Sequence, residues 1–151
     1  MRRLVQRFLC DEDRGTSATE FALIAPILIL MALCTVDVGR GFYYNMQVQN
    51  AAQAGARYAA LHGFDQTSVS NAIAAATSNS GISASPAPVQ FCGCPSDSGI
   101  SATDCESLCP GGSAAGRYVT ASAQAVYNTV FSYPVIADHV TLTSQSTLRI
   151  Q

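Results

Sequence analysis

Hydrophobic positions along the chain change period, and the changes mark its elements. From Phe21 to Val36 sixteen residues carry no formal charge. As a helix that run is about 24 Å long, and about 34 Å if extended from Thr16 to Val38, enough to cross a hydrocarbon core of about 30 Å. Pro26 lies inside it, where the missing amide hydrogen kinks or loosens a helix in a way that membrane helices tolerate. From Asp37 to Leu61 there is no proline, and Val38, Phe42, Met46, Ala52, Ala56 and Ala59 recur near helical spacing. One long helix is therefore predicted through the apolar run to His62, with Gly63 as its stop. Gly39 and Gly41 lower helix propensity by roughly 1 kcal/mol each and predict a bend where the helix leaves the apolar run. The small residues Ala51, Ala52, Ala54, Gly55 and Ala56 are expected to let another helix approach closely.

Beyond Gly63 the pattern shortens. A second helix is predicted over about Ser68–Ser78, with Val69, Ile73 and Ala76 as its apolar face and Gly81 as its end. Pro86-Ala87-Pro88 leads into a short strand, Val89–Phe91. The C-terminal third then alternates with period 2. Between Tyr118 and Asn128, Val119, Ala121, Ala123, Ala125 and Tyr127 share one face, and only Val126 breaks the alternation. Between Val140 and Ile150, Val140, Leu142, Leu148 and Ile150 share one face, opposite Thr141, Thr143, Gln145, Thr147 and Arg149. Both segments read as half-buried strands, with Pro134 interrupting the connection between them. An antiparallel sheet packed on the outer half of the long helix would bury all the apolar faces at once. The expected class is α+β, a long N-terminal helix with a small head that contains a short helix, an antiparallel sheet and a cysteine-held loop. Its divisions are 1–15 as a leader, 16–62 as the transmembrane and amphipathic long helix, and 63–151 as a small head.

Charge orients the anchor. Arg2, Arg3, Arg7 and Arg14 precede the apolar run and only Arg40 follows it closely, which places the N-terminus in the cytoplasm and the head outside, in a single pass. Phe42, Tyr43 and Tyr44 fall where an aromatic belt belongs, and Asp37 and Arg40 are spaced to pair on one helix face. The sequence contains no lysine and no basic stripe, so nucleic-acid binding has no electrostatic footprint. A conventional secretory signal would need a small-x-small cleavage site soon after Val36, and none stands there.

Four cysteines belong to the head: Cys92 and Cys94, then Cys105 and Cys109. In an oxidising compartment they read first as two disulfides. A Cys92–Cys94 bridge would strain a one-residue loop, so both remaining connectivities join one close pair to the other. Each bridge closes a loop of roughly 12–18 residues, worth about 3 kcal/mol, in a Ser- and Gly-rich segment with little apolar content. Tetrahedral zinc on four thiolates is the sharper alternative, but the spacing is not that of paired CxxC motifs, and no metal or cofactor is expected. His62 and His139 belong to no catalytic motif, and no nucleophile elbow, zinc-protease helix or phosphate loop is present. The chain does not read as an enzyme.

Arg14-Gly15, Glu20-Phe21-Ala22-Leu23 with Pro26, Asn50-Ala51-Ala52 and Gly55-Ala56-Arg57-Tyr58-Ala59 together resemble the TadE-like proteins. These are pseudopilins or minor pilins of the bacterial tight-adherence (Tad, or Flp) pilus machinery. The resemblance covers Arg14 to about Leu61; the four cysteines are no part of the family pattern. It implies cleavage after Gly15 by a prepilin peptidase, Thr16 as the new N-terminus, and Glu20 as the fifth-position carboxylate followed by Phe21. Subunit assembly would involve Glu20, Pro26, Gly55, Ala56 and Arg57. The implied partners are the peptidase, sibling pseudopilins, the major pilin, the inner-membrane assembly platform and membrane lipid. The implied location is the bacterial inner membrane, with entry into a surface pilus as a further step. The competing reading is an uncleaved, membrane-tethered module that binds a surface or secreted ligand through the Cys92–Cys109 loop.

Overall fold

The computed structural model describes residues 12–97, 99–130 and 139–150, with side chains of the first helix from Ala18 onward. The expectations for Met1–Asp11, including Arg2, Arg3, Arg7 and Cys10, and those for Pro134 and Asp138, lie outside the described residues. The elements in chain order are α1 (Glu12–His62), α2 (Gln66–Ala75), β1 (Val89–Ser96), β2 (Gly99–Ala102), β3 (Gly116–Asn128) and β4 (His139–Arg149). The chain divides into two compact units between Gly39 and Arg40. The first holds the apolar half of α1; the second holds the rest of α1 with everything after it.

Within the second unit the four strands form one antiparallel sheet in the order β2-β1-β3-β4. The alternation read in the sequence is what the sheet uses. Val119, Ala121, Ala123, Ala125 and Tyr127 of β3 are buried, whereas Val126 is 51% exposed. In β4, Leu142 and Leu148 are half-buried while Thr141, Thr143, Gln145 and Thr147 are exposed. The core joins these β3 alanines to Val48, Ala51, Ala52, Ala56 and Ala59 of α1 and to Val69 and Ile73 of α2. Small side chains on both α1 and β3 let the helix lie close to the sheet, so packing depends on close approach rather than bulky residues. At the end of β3 near Asn128, Tyr44 meets Tyr127 edge-on at 5.3 Å between ring centroids, a favoured aromatic geometry.

α1 remains helical through Pro26, Gly39 and Gly41. It ends where expected: Gly63 takes φ +86° and its amide donates to the Ala59 carbonyl at 3.0 Å, the left-handed residue that closes many helices. His62 stacks on Tyr58 with centroids 4.5 Å apart and donates through Nδ1 to the Tyr58 carbonyl. The start of α2 differs from the expectation. Asp65 is its N-cap, accepting from the Ser68 amide at 2.7 Å, and hydrogen bonds from the Ser68 side chain and amide hold its carboxyl below the ordinary value. The helix consequently begins at Gln66 and stops at Ala75; Ala76 is an exposed C-cap, and Gly81 lies beyond the end. Only Val69 and Ile73 form its buried face.

Gly55 marks the closest approach in this core. A Cβ there would collide with Ile73 Cγ1 and would lie 2.9 Å from Ile73 Cδ1 and 3.3 Å from Ala121 Cβ. The helix that approaches the small-residue face of α1 is thus α2 of the same chain, on a face shared with β3. Gly55→Ala is expected to destabilise the second unit by about 1–3 kcal/mol, the usual cost of overpacking. Thermal unfolding of the full chain in detergent, followed by circular dichroism, measures this; an unchanged midpoint would refute the close-packing account.

Candidate functional site

Two features of the molecule have no explanation within the fold. The first is the apolar half of α1. Among the described residues, one helix, Ala18–His62, is long and apolar enough to cross a membrane. Its N-terminal part displays Phe21 (67% exposed), Leu23 (75% exposed), Ile24, Ile27, Leu28, Ile29 and Leu30. A surface apolar over several turns is unfavourable in water and marks contact with lipid or another protein. Its one intrinsically polar residue between Pro26 and Val36 is accommodated locally: the Thr35 hydroxyl donates to the Met31 carbonyl at 2.8 Å, so it presents no unsatisfied donor to an apolar surrounding. Glu20 is exposed at the head of this segment, immediately before Phe21. Gly15 and Thr16 lie upstream in the same helical run.

The residues assigned to processing and assembly therefore separate into two groups. Glu20, Phe21 and Pro26 belong to the apolar unit, with Glu20 and Phe21 exposed on it. Gly55 and Ala56 are buried in the second unit's core, whereas Arg57 faces solvent.

The second feature is the disulfide-held end of the sheet. β1 continues past the expected Val89–Phe91 through Cys92 and Cys94 to Ser96, and β2, which the sequence does not announce, pairs back along it with Gly93 opposite Ala102. Cys92 bonds Cys105 and Cys94 bonds Cys109, with Cα separations of 5.0 and 5.5 Å. All four thiols assigned to the head are thereby used in disulfides, not in a zinc site. The hairpin register explains the choice of connectivity. The chain leaves β2 level with Cys92, where the Thr103 amide donates to the Cys92 carbonyl at 2.9 Å. Cys105 is then two residues from its partner. Cys109 lies further along the turn, near the second buried cysteine of β1.

Elsewhere, a recess of about 390 Å³ opens among Phe64, Gln90, Arg117 and Ile150; it holds no nucleophile and base together. Among the described residues no group of three or more His, Cys, Asp and Glu is placed to hold a metal ion.

A long exposed apolar helix followed by a small disulfide-held α+β head fits a membrane-anchored protein. Residues 15–57 of the chain match the family described as TadE-like protein. That span takes in Gly15, Glu20, the apolar run and the Gly55-Ala56-Arg57 motif, and it bears out the resemblance read from those residues. No curated protein matches the chain, and no solved structure does.

Proposed function

We propose that this chain is a membrane-anchored pseudopilin, or minor pilin, that takes part in assembling a Tad/Flp-type pilus after a prepilin peptidase cuts it between Gly15 and Thr16. The observation that carries the reading is the coincidence of the TadE-like match, which begins at Gly15, with an apolar helix exposed from Phe21 onward. Cleavage would free the backbone amine of Thr16. Glu20, four residues along the same helix and about 6 Å higher on its axis, would be ready to pair with such an amine on a neighbouring subunit. The four arginines before the span favour a cytoplasmic N-terminus and an extracytoplasmic head. In that orientation the peptidase, sibling pseudopilins, the major pilin and the inner-membrane platform would all meet α1, with lipid around it. Nothing in this role requires catalysis by the chain.

The test is the intact mass and N-terminal sequence of the protein made with and without a functional prepilin peptidase. A chain beginning at Thr16 only when the peptidase is present is the expected result. A chain beginning at Met1 in both cells would leave the tethered module, with the disulfide-held loop as its contact surface, as the better account.

A further inference from the structure

The second unit has a defined end at which the chain enters it. Its first residue is Arg40, two positions past Val38, where the extended apolar run ends. From Gly41 to Ala56 no residue carries a formal charge. Two contacts show how the sheet lies along this part of α1. A Cβ on Gly41 would lie 3.8 Å from Tyr127 Cε1, and one on Gly55 would lie 3.3 Å from Ala121 Cβ. Gly41 to Gly55 is about 21 Å of helix, and Ala121 to Tyr127 is about 20 Å of strand. β3 therefore runs antiparallel along α1, and its Asn128 end is level with the turn Gly41–Tyr44.

That turn has two sides. On one, Tyr44 packs on Tyr127. On the other, Phe42, Tyr43 and Met46 are each more than half exposed, and helical spacing puts Gln49, Asn50, Gln53 and Arg57 on the same stripe further along. The stripe changes from aromatic and apolar to polar one turn beyond Met46. Such a change, directly after an apolar helix, is the pattern of a membrane–water interface. Arg40, exposed at the start of the turn, suits the same layer because its stem is apolar and its head charged. The carboxylates described in this unit belong to the opposite end. Asp65 caps α2 just past the end of α1, and Asp97 follows the end of β1. Asp104 and Glu106 flank Cys105, which is bonded to Cys92 opposite Arg117 at the start of β3.

We propose that this end of the unit rests in the headgroup layer of the lipid surface, with the Asn128 end of the sheet held there beside α1, and does not stand clear of the membrane on a helical stalk. A headgroup layer is about 5–7 Å deep on each side of the hydrocarbon core, and the turn from Arg40 to Tyr44 rises about 6 Å. Because Tyr44 touches Tyr127, headgroups level with Tyr43 are level with the end of β3 too. Side chains alternate along a strand, so Val126, beside Tyr127, projects from the face of the sheet away from α1, and the lipid surface is what covers it. The docking depends on α1 crossing the membrane but not on cleavage at Gly15, so processing and docking succeed or fail in separate measurements.

The chain contains no tryptophan, so single tryptophans report position cleanly. The test places one at a time in the full chain, made without the peptidase and reconstituted in phosphatidylcholine–phosphatidylglycerol vesicles, and reads its quenching by bromine on the upper acyl chains. Val126 and Val89 form the decisive pair. They are 51% and 53% exposed on one face of the sheet. Val89 stands opposite Thr120, about 20 Å along β3 from Val126. Tyr43→Trp and Val126→Trp should lose emission to bromine and shift to shorter wavelength, whereas Val89→Trp should do neither. An equal response at Val126→Trp and Val89→Trp would overturn the proposal, and quenching of Tyr43→Trp alone would mean that the head stands off the bilayer. Leu28→Trp reports the anchor separately, through bromine deep in the acyl chains. Its loss of emission is expected whether or not the head docks; an unquenched Leu28→Trp would overturn the anchor and the docking with it.

Discussion

Replacing either pair of bonded cysteines with serine is expected to lower the stability of the head by about 3 kcal/mol, and removing both bridges by about 5 kcal/mol. The bridges close loops with sequence separations of 13 and 15 residues, each worth about 3 kcal/mol in the chain-entropy account. They do not add in full because they interleave. With Cys92 bonded to Cys105, the path from Cys94 to Cys109 runs back through that bridge and is short, so the second closure removes less freedom. Against a net stability of about 5–15 kcal/mol for an ordinary domain, the loss is large. It should also be local. Among the described residues between Asp97 and Ala115, the disulfide-bonded Cys109 is the one buried hydrophobic residue, and Leu108 is 73% exposed. Apart from the disulfides, the segment is held by scattered backbone bonds such as Cys109 to Ser113 at 2.7 Å and Ala115 to Ser107 at 3.1 Å. Hydrogen exchange on the reduced protein should show protection lost from β2 through Ala115 and retained in β3, β4 and the second half of α1. Uniform loss across the sheet would show that the bridges hold the core and not the loop.

How much of this was legible in the sequence depends on what each residue had to reveal. The β3 and β4 strands were legible because alternation is a strong signal when alanine, valine and leucine oppose threonine and glutamine. β2 was not: Gly99-Ile100-Ser101-Ala102 has no alternation, and all four residues are exposed. It is a strand because Cys92–Cys105 and the hairpin hold it against β1. The start of α2 is set by Asp65, three residues before Ser68, whose carboxylate caps the first turn; apolar spacing marks only the buried face, which begins later, at Val69. The small-residue face of α1 announced a close neighbour without naming it. Glycine and alanine report how near a surface can come, and only the fold shows that Ile73 of the same chain is what comes near Gly55. The disulfide connectivity stayed open for a related reason, because register and not spacing decides which cysteine is reached first. Glu20 is the opposite case: sequence spacing singles it out, while the isolated chain leaves its carboxylate exposed.

Glu20→Ala is expected to leave membrane insertion intact, or slightly easier, and to reduce incorporation into a Tad-type assembly by about tenfold or more, the scale set by truncating one partner of a desolvated charge pair. A carboxylate near the middle of a bilayer costs roughly 2.5–3.5 kcal/mol, and less near the interface, so alanine removes a burden on insertion. The loss falls on association, because charges attract strongly only where water is excluded. That condition exists between packed helices and not on the lone helix. The effect should also depend on processing, because the amine that Glu20 meets exists only after the bond between Gly15 and Thr16 is cut. In cells lacking the peptidase, wild type and Glu20→Ala should be equally defective. With the peptidase present they should diverge, and Glu20→Asp, which keeps the charge on a shorter arm, should fall between them. Membrane fractionation gives the insertion readout, and co-purification of partner subunits gives the assembly readout. Wild-type recovery of partners with Glu20→Ala would show that the carboxylate pairs with nothing essential, and the apolar helix would then act as a tether alone.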